Sequence, residues 1–216
     1  GFAKSKRQRD GETYIGMTCS ACHSTVISYG GTGLLIDGAP SQGDFQGFYR
    51  DLGIAFRSNL DDPDKFARLA ERIHSRTPSD AERATLEQRM KRAMEAIVER
   101  EKLNQTESAY GYGRVDAIGQ IFNAVASANI DMPENRGDPN APVNYPFIWG
   151  THQSNVVQWN GFAPNVSKEG RENVRILGPL VRNAGEVLGV FGQIDVPAGP
   201  RGDPGVLYRN STRLRN

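Results

Sequence analysis

The sequence predicts a mainly α fold with long loops and a small β-hairpin, built as one domain over residues 1–216. Three observations carry this. Between about residues 44 and 128, apolar side chains recur at helical spacing in four successive segments. From about 129 to 216 the chain turns loop-rich and aromatic, with both tryptophans and one isolated helical segment. Two short apolar runs around Gly30-Gly31 read as a hairpin with a glycine turn.

Residues 1–16 read as a polar lead-in. Its basic run from Lys4 to Arg9 is a solvated or flexible segment, or else a docking patch for an acidic partner. The hairpin occupies Val26 to Pro40. Residues 44–58 place Phe45, Phe48, Leu52 and Phe56 on one helical stripe, as core residues. Asp62 to Ser75 gives a second helix with Phe66, Leu69, Ala70 and Ile73 on one face, and Pro78 prevents its continuation. Ser79-Asp80-Ala81-Glu82 is a capping-box signature. It opens a long helix to about Leu103, with Leu86, Met90, Ala93 and Ile97 inward. Another helix, about Val115 to Ala128, carries Ile118, Ile121, Phe122 and Val125. The isolated late helix is Leu180 to Gly192.

Composition narrows the classes. Hydrophobic residues make up 38% of the 216, alongside 24 Gly and 12 Pro. A loop-rich chain with so modest an apolar fraction suits a centre completed by a large apolar cofactor. A net charge of +1 gives no reason to expect nucleic acid or an anionic membrane surface as partner. No apolar run approaches the roughly 18 residues of a membrane-spanning helix. The chain opens at Gly1 without Met or a secretory leader, as a mature or trimmed product does. Its final stretch stops without an obvious terminal element, as a truncated chain does.

Both cysteines stand three positions apart, in Cys19-Ser20-Ala21-Cys22, and His23 follows at once. A thioredoxin-type pair would open a helix after a strand in an α/β pattern, which does not flank Cys19. A zinc site needs four ligands, and only His74 and His152 remain to be recruited, at no common zinc spacing. A disulfide across so short a loop would stabilise little. The remaining chemistry is covalent haem c, written C-x-x-C-H: two thioether bonds hold the porphyrin edge, and the adjacent histidine reaches the iron. Small residues at 20 and 21 suit a tight turn against a flat ring. Because haem c is attached outside the bacterial cytoplasm, the motif implies a periplasmic or extracellular location.

Four segments then become recognisable together: "GMTCSACHSTVISYGGTGLLIDGAP", "YGRVDAIGQIFNAV", "NAPVNYPFIWGTHQSNVVQWNG" and "PLVRNAGEVLGVFG". They resemble the di-haem cytochrome c peroxidase-like superfamily, on the branch that includes the bacterial rubber oxygenases. The match runs from about residue 11 to 195. The haem motif is common to all c-type cytochromes, whereas "YPFIWGTHQSNVVQWNG" and "RNAGEVLGVFG" are far more restrictive. The resemblance implies a cytochrome c-like haem domain with His23 as proximal ligand and metal-binding residue. It also implies peroxide or oxygen chemistry at the iron, or electron transfer between haems. A phenylalanine lies near the open haem face in the rubber oxygenases, and Phe147 matches it by position. Tryptophans sit beside the haems, which corresponds to Trp149 or Trp159. The peroxidases hold calcium between their haems with asparagine and backbone ligands, for which Asn160 and Asn165 are candidates. Family members carry a second C-x-x-C-H, absent here. The chain therefore corresponds to the N-terminal part of a longer di-haem protein, or to a form without the second haem.

The second axial position of the iron is open to His74, His152, Met17, Met90, Met94, Met132, or no residue. Met90 and Met94 sit at core positions of the long helix, and His74 lies where it complements a helix C-terminus. His152, inside the aromatic block, has two readings, a haem-side role or structural hydrogen bonding. Tyr145, Phe147, Trp149 and Trp159 either fill core or line a flat apolar ligand. Arg182 and Asn183 are candidate donors to haem propionates, with an Arg182–Glu186 ion pair as the plainer use; Tyr112 and Arg114 share that ambiguity. The expected catalytic residues are thus Phe147, Trp149 and His152, and the cofactor-binding residues Cys19, Cys22, His23, Trp159, Arg182 and Asn183. The expected partner is an electron-donor or acceptor redox protein or a second haem domain, oligomerisation remaining open. Two functions fit: an extracytoplasmic haem c oxidoreductase with an aromatic distal pocket, or a non-catalytic electron-transfer cytochrome. A haem that mainly anchors the fold is a third.

Overall fold

The computed structural model describes residues 1–6, 13–158, 160, 161, 163, 164, 177–190, 193–195 and 213–215. It is mainly α. The helices are α1 (Phe45–Asp61), α2 (Pro63–His74), α3 (Asp80–Leu103), α4 (Ala117–Asn123) and α5 (Leu177–Val190). Among the described residues, ten short strands form five separate antiparallel pairs: β1 (Phe2–Lys6) with β2 (Thr13–Met17), β3 (Ser24–Tyr29) with β4 (Thr32–Asp37), β5 (Arg114–Val115) with β6 (Val143–Asn144), β7 (Val156–Val157) with β8 (Ala163–Pro164), and β9 (Gln193–Asp195) with β10 (Arg213–Arg215).

Local chemistry sets the helix ends. The Asp44 carboxylate accepts from the Gly47 amide at 2.8 Å and starts α1. Asp62 ends α1 and caps α2, accepting from Asp64 and Lys65 at 3.0 Å each, with Pro63 at the first helical position. Those donors favour its charged form and hold its carboxyl below the ordinary value. Ser75, in the left-handed region at φ 55°, stops α2. The expected capping box opens α3: Glu82 N–H donates to Ser79 Oγ, and Ser79 N–H to Glu82 Oε2. Asp116 starts α4, accepting from Gly119 with one oxygen and from Ala141 with the other. Past Asn123 the helix expected from about Val115 to Ala128 loosens into a π-type turn over Ala124–Ala128.

α1 packs against α2 and α3, and α4 against α5. Met90 and Ile97 of α3 are buried, as core positions should be. The central cluster joins distant parts of the chain: Phe45 from α1, Tyr110 and Val115 before α4, and Tyr145 from the aromatic loop. Met17, Cys22, Tyr49 and Ala117 pack on it. Tyr110 is 1% exposed and its hydroxyl donates to Pro139 O at 2.6 Å, so burial leaves no orphaned O–H. Asn123, equally buried, bridges Leu103 O and Gly137 O and receives Gly137 N–H. It fastens the stretch after α4 to the end of α3.

One expectation needs correction. Residues 2–6 and 13–17 are a β-hairpin rather than an unstructured polar lead-in. Its ladder aligns Lys4 with Ile15 and Phe2 with Met17, yet neither strand alternates polar and apolar residues, so no period of two marks it in the sequence. Arg7 to Arg9 of the basic run lie outside the described residues.

Candidate haem-attachment site

The cysteine motif is a tight turn. Cys19–Ala21 form one 3₁₀ turn, and the amides of Cys22 and His23 both donate to Cys19 O, at 3.2 and 2.9 Å. Small residues at 20 and 21 fit so compact a path. Two long-range bonds then anchor the turn: Gly38 N–H donates to His23 O at 2.8 Å, and Ser41 N–H to Cys22 O at 2.9 Å. The β3–β4 hairpin leaves from Ser24 and returns at Asp37, so its root lies against the histidine.

The His23 ring is oriented from 123 residues away: Nδ1 lies 2.8 Å from Pro146 O. A carbonyl oxygen only accepts, so Nδ1 carries the proton. In the neutral ring, Nε2 then keeps its lone pair and is the nitrogen available to a metal. Tyr145, one residue earlier, sets its ring edge-on to the imidazole at 6.4 Å, and its hydroxyl donates to Gly43 O at 3.1 Å. Tyr145 and Gly113 also exchange a backbone bond, Tyr145 N–H to Gly113 O at 3.0 Å. The carbonyl that meets His23 is therefore fixed by a buried neighbour.

The thiols differ. Cys19 is exposed and Cys22 half-buried, and both are free. Burial pushes the Cys22 thiol above its ordinary value. A redox-active Cys-x-x-Cys pair needs a depressed pKa to supply thiolate, and this environment works the other way. Tyr145 is pushed up as well, first by burial and then by the neighbouring Cys22.

The aromatic loop stands next to this turn. Trp149 Nε1–H donates to Asp37 O at 2.7 Å, and Ile148 N–H to Gly38 O at 3.0 Å. Gly38 has φ +81°, and a Cβ there would come 2.5 Å from Trp149 Nε1; only glycine meets both demands. Phe147 stacks on Trp149, with centroids 5.8 Å apart and planes 24° from parallel. Both rings remain more than half exposed, 54% and 55%. They form an exposed aromatic pair over the root of the β3–β4 hairpin instead of filling core.

The other expected residues lie further out. His152 is exposed in the 3₁₀ turn Thr151–Gln153. Arg182 of α5 donates to Thr151 O and Ser154 O, at 3.3 and 3.4 Å, and so clamps that turn. Glu186 accepts from Gln158. Asn183 and Asn160 are exposed. Trp159 and Asn165 lie outside the described residues. Met17 packs beside Cys22 on the central cluster, Met90 is buried in α3, and Met132 is exposed. His74 ends α2, where Nδ1 stands 3.9 Å from Glu82 Oε1. Tyr112 is exposed, as is Arg114 in β5. Among the described residues no group of three or more His, Cys, Asp or Glu side chains could hold a metal ion.

Two contributors were not singled out from sequence, Pro146 and Gly38. Pro146 lies within the aromatic block, and Gly38 ends the expected hairpin; each is visible as a residue but not as a partner of His23 or Trp149.

Among the described residues no helix is long and apolar enough to cross a membrane. No family model matches the chain, and no solved structure matches it. It is similar to the uncharacterized protein y4iJ of Sinorhizobium fredii (strain NBRC 101917 / NGR234), 32% identical over 183 residues. The aligned part covers 82% of this chain and 28% of that protein, so the chain spans less than a third of its relative's length.

Proposed function

We propose that this chain is a c-type haem domain of an extracytoplasmic oxidoreductase, with haem held through Cys19 and Cys22 and its iron ligated by His23 Nε2. The observation that carries the reading is the Nδ1 contact of His23 with Pro146 O in a Cys-x-x-Cys-His turn. A ligating histidine characteristically donates its other N–H to a carbonyl or carboxylate, which fixes its tautomer and raises its basicity. The residues fit the group: the thiols occupy one tight turn, a presented ring nitrogen follows them, and an exposed aromatic plate adjoins.

When bound, the haem supplies redox chemistry at iron, and with an open coordination position it activates peroxide or oxygen. The chain's own part is binding, orientation and exclusion of water. The turn sets the distance between the thiols and His23. Tyr145 and Gly43 hold the Pro146 carbonyl against Nδ1. Phe147 and Trp149 give an exposed aromatic surface over the root of the β3–β4 hairpin. The calcium suggested by the superfamily resemblance has Asn160 as its described candidate, and the likeness alone supports it. A redox protein or a second haem domain is the proposed partner, and periplasmic or extracellular the proposed location.

The test is co-expression with a haem c maturation system, followed by visible spectra of oxidised and reduced protein with and without carbon monoxide. A covalently attached haem whose ferrous form binds carbon monoxide supports the oxidoreductase. Covalent haem that refuses carbon monoxide in every state identifies the electron-transfer cytochrome instead. His23→Ala should remove the histidine-ligated spectrum while far-UV circular dichroism stays unchanged. No covalent haem in the wild type defeats the proposal.

A further inference from the structure

Away from the cysteine turn, a part-buried arginine stands at the wall of a cleft that haem attachment does not use. The cleft, of about 290 Å³, opens between α1, the end of α3 and the loop that leads to Tyr110. Ligand sites usually measure roughly 300–1,000 Å³, so an occupant here is a small molecule.

Arg100, in the last turn of α3, lines the cleft. Neutral side chains of two other helices hold its guanidinium. The Cζ stands 5.0 Å from the ring centroid of Tyr49 and 5.6 Å from that of Phe45, both in α1. Nη2 donates to Gln120 Oε1 of α4 at 2.7 Å, and Gln120 is itself buried. A cation laid over two rings and bonded to a fixed amide is already ordered, which lowers the cost of binding. Burial pulls Arg100 below its ordinary value, while Tyr49 and Tyr110 act the other way. An anion brought to the guanidinium would offset that desolvation.

The rest of the lining selects among anions. Asn104 and Gln105 bring amides and Thr106 a hydroxyl, groups that can hydrogen-bond a polar substituent. Glu101 lines the cleft too, and Arg50 is held by Asp51 at 3.0 Å. A dianion such as phosphate would meet one preset guanidinium and an opposing carboxylate. A planar monoanion suits the place better, because a guanidinium fork matches a carboxylate.

We propose that this cleft binds a small free monocarboxylate, with its carboxylate on the Arg100 guanidinium and its body against the Phe45 and Tyr49 side of the cleft. The site does not depend on haem.

NMR titration of the arginine Nε–H signals with benzoate tests this, on chain prepared with and without haem c maturation. Benzoate should bind both preparations with a dissociation constant of about 1 mM or tighter, a weak but specific affinity. Neutral benzamide should bind at least about tenfold more weakly, having lost the charge-assisted pair. Arg100→Met should abolish binding. Arg100→Lys keeps the charge without the fork and should weaken binding about tenfold; it carries the test if circular dichroism shows Arg100→Met to be unfolded. No response of the wild type to benzoate overturns the proposal, as does wild-type affinity in either variant. Inorganic phosphate binding as tightly as benzoate would make this a general anion site and overturn the carboxylate assignment. Binding confined to the haem-free chain would place a haem propionate on Arg100 and overturn the free ligand.

Discussion

The helical body and the surroundings of His23 are built by different means. In the body, α1 to α4 each start with a side-chain cap, at Asp44, Asp62, Ser79 and Asp116. Phe45 of α1 joins Tyr110, Val115 and Tyr145 in a buried cluster where Tyr110 is almost sealed from water. Around His23 there is little burial, and position depends on a few directed bonds: Gly38 to His23 O, His23 to Pro146 O, Trp149 to Asp37 O. One region is stabilised by area and the other is specified by geometry. Cys22 stands at the seam, half-buried against the body while its neighbour Cys19 faces solvent. Cys22 thus rests on packed core, while the adjacent His23 takes its ring orientation from a carbonyl of the aromatic loop.

The contrast can be broken first at the body. Phe45→Ala removes the α1 contribution to the central cluster and should cost about 3–5 kcal/mol in urea unfolding. Because Cys22 packs on that cluster, its thiol should also react faster with a maleimide. Unchanged thiol reactivity would separate Cys22 from the body. Asn123→Ala leaves buried peptide groups at Leu103 and Gly137 unmatched and should cost roughly 2–3 kcal/mol, with no change at Cys22.

The geometric region should respond in the opposite sense. Gly38→Ala forces a Cβ against Trp149 at a positive φ and should cost about 1–3 kcal/mol. Its clearer signature is a red shift of tryptophan fluorescence with helical circular dichroism unchanged. If Trp149 does not respond, the loop is not seated by Gly38. The smallest effect lies on the body's surface. Arg76 first, then the Ser79 cap, hold the Glu82 carboxyl down to about 2, from an ordinary 4.5. A carboxyl lowered by folding stabilises the native state above its unfolded value, and the contribution disappears as pH falls through the folded value. Glu82→Gln should therefore flatten the loss of stability between pH 4.5 and about 2. A melting series that is parallel in the two proteins would dismiss the pair.

Sequence and structure agree best where the signals are local. Ser79 and Glu82 lie three apart and satisfy each other, so the start of α3 could be read from four letters. The hairpin turn at Gly30-Gly31 and the stripes of α1, α2 and α3 are local in the same way. The β1–β2 pairing was not legible, because neither FAKSK nor TYIGM alternates polar and apolar residues. The π-type turn after Asn123 was not legible either: its Asn129 N–H to Ala124 O bond is a backbone feature that no residue type announces. At the site, Cys19, Cys22 and His23 announce themselves by spacing, but nothing in "NYPF" marks Pro146 as the histidine's acceptor. Arg182 was singled out as a donor to haem propionates or a partner of Glu186, whereas the acceptors seen are the carbonyls of Thr151 and Ser154, which carry no residue signature.

The His23–Pro146 contact has a kinetic consequence. Its partners are separated by 123 positions, and contacts of such separation form late, once the chain between them has ordered. During synthesis the Cys-x-x-Cys-His turn emerges well before its carbonyl, so the imidazole is for a time free in both tautomer and direction. Ring orientation thus waits until the chain has reached Pro146, and the infrared or NMR signature of Nδ1–H should report closure of that contact, which helical signals do not.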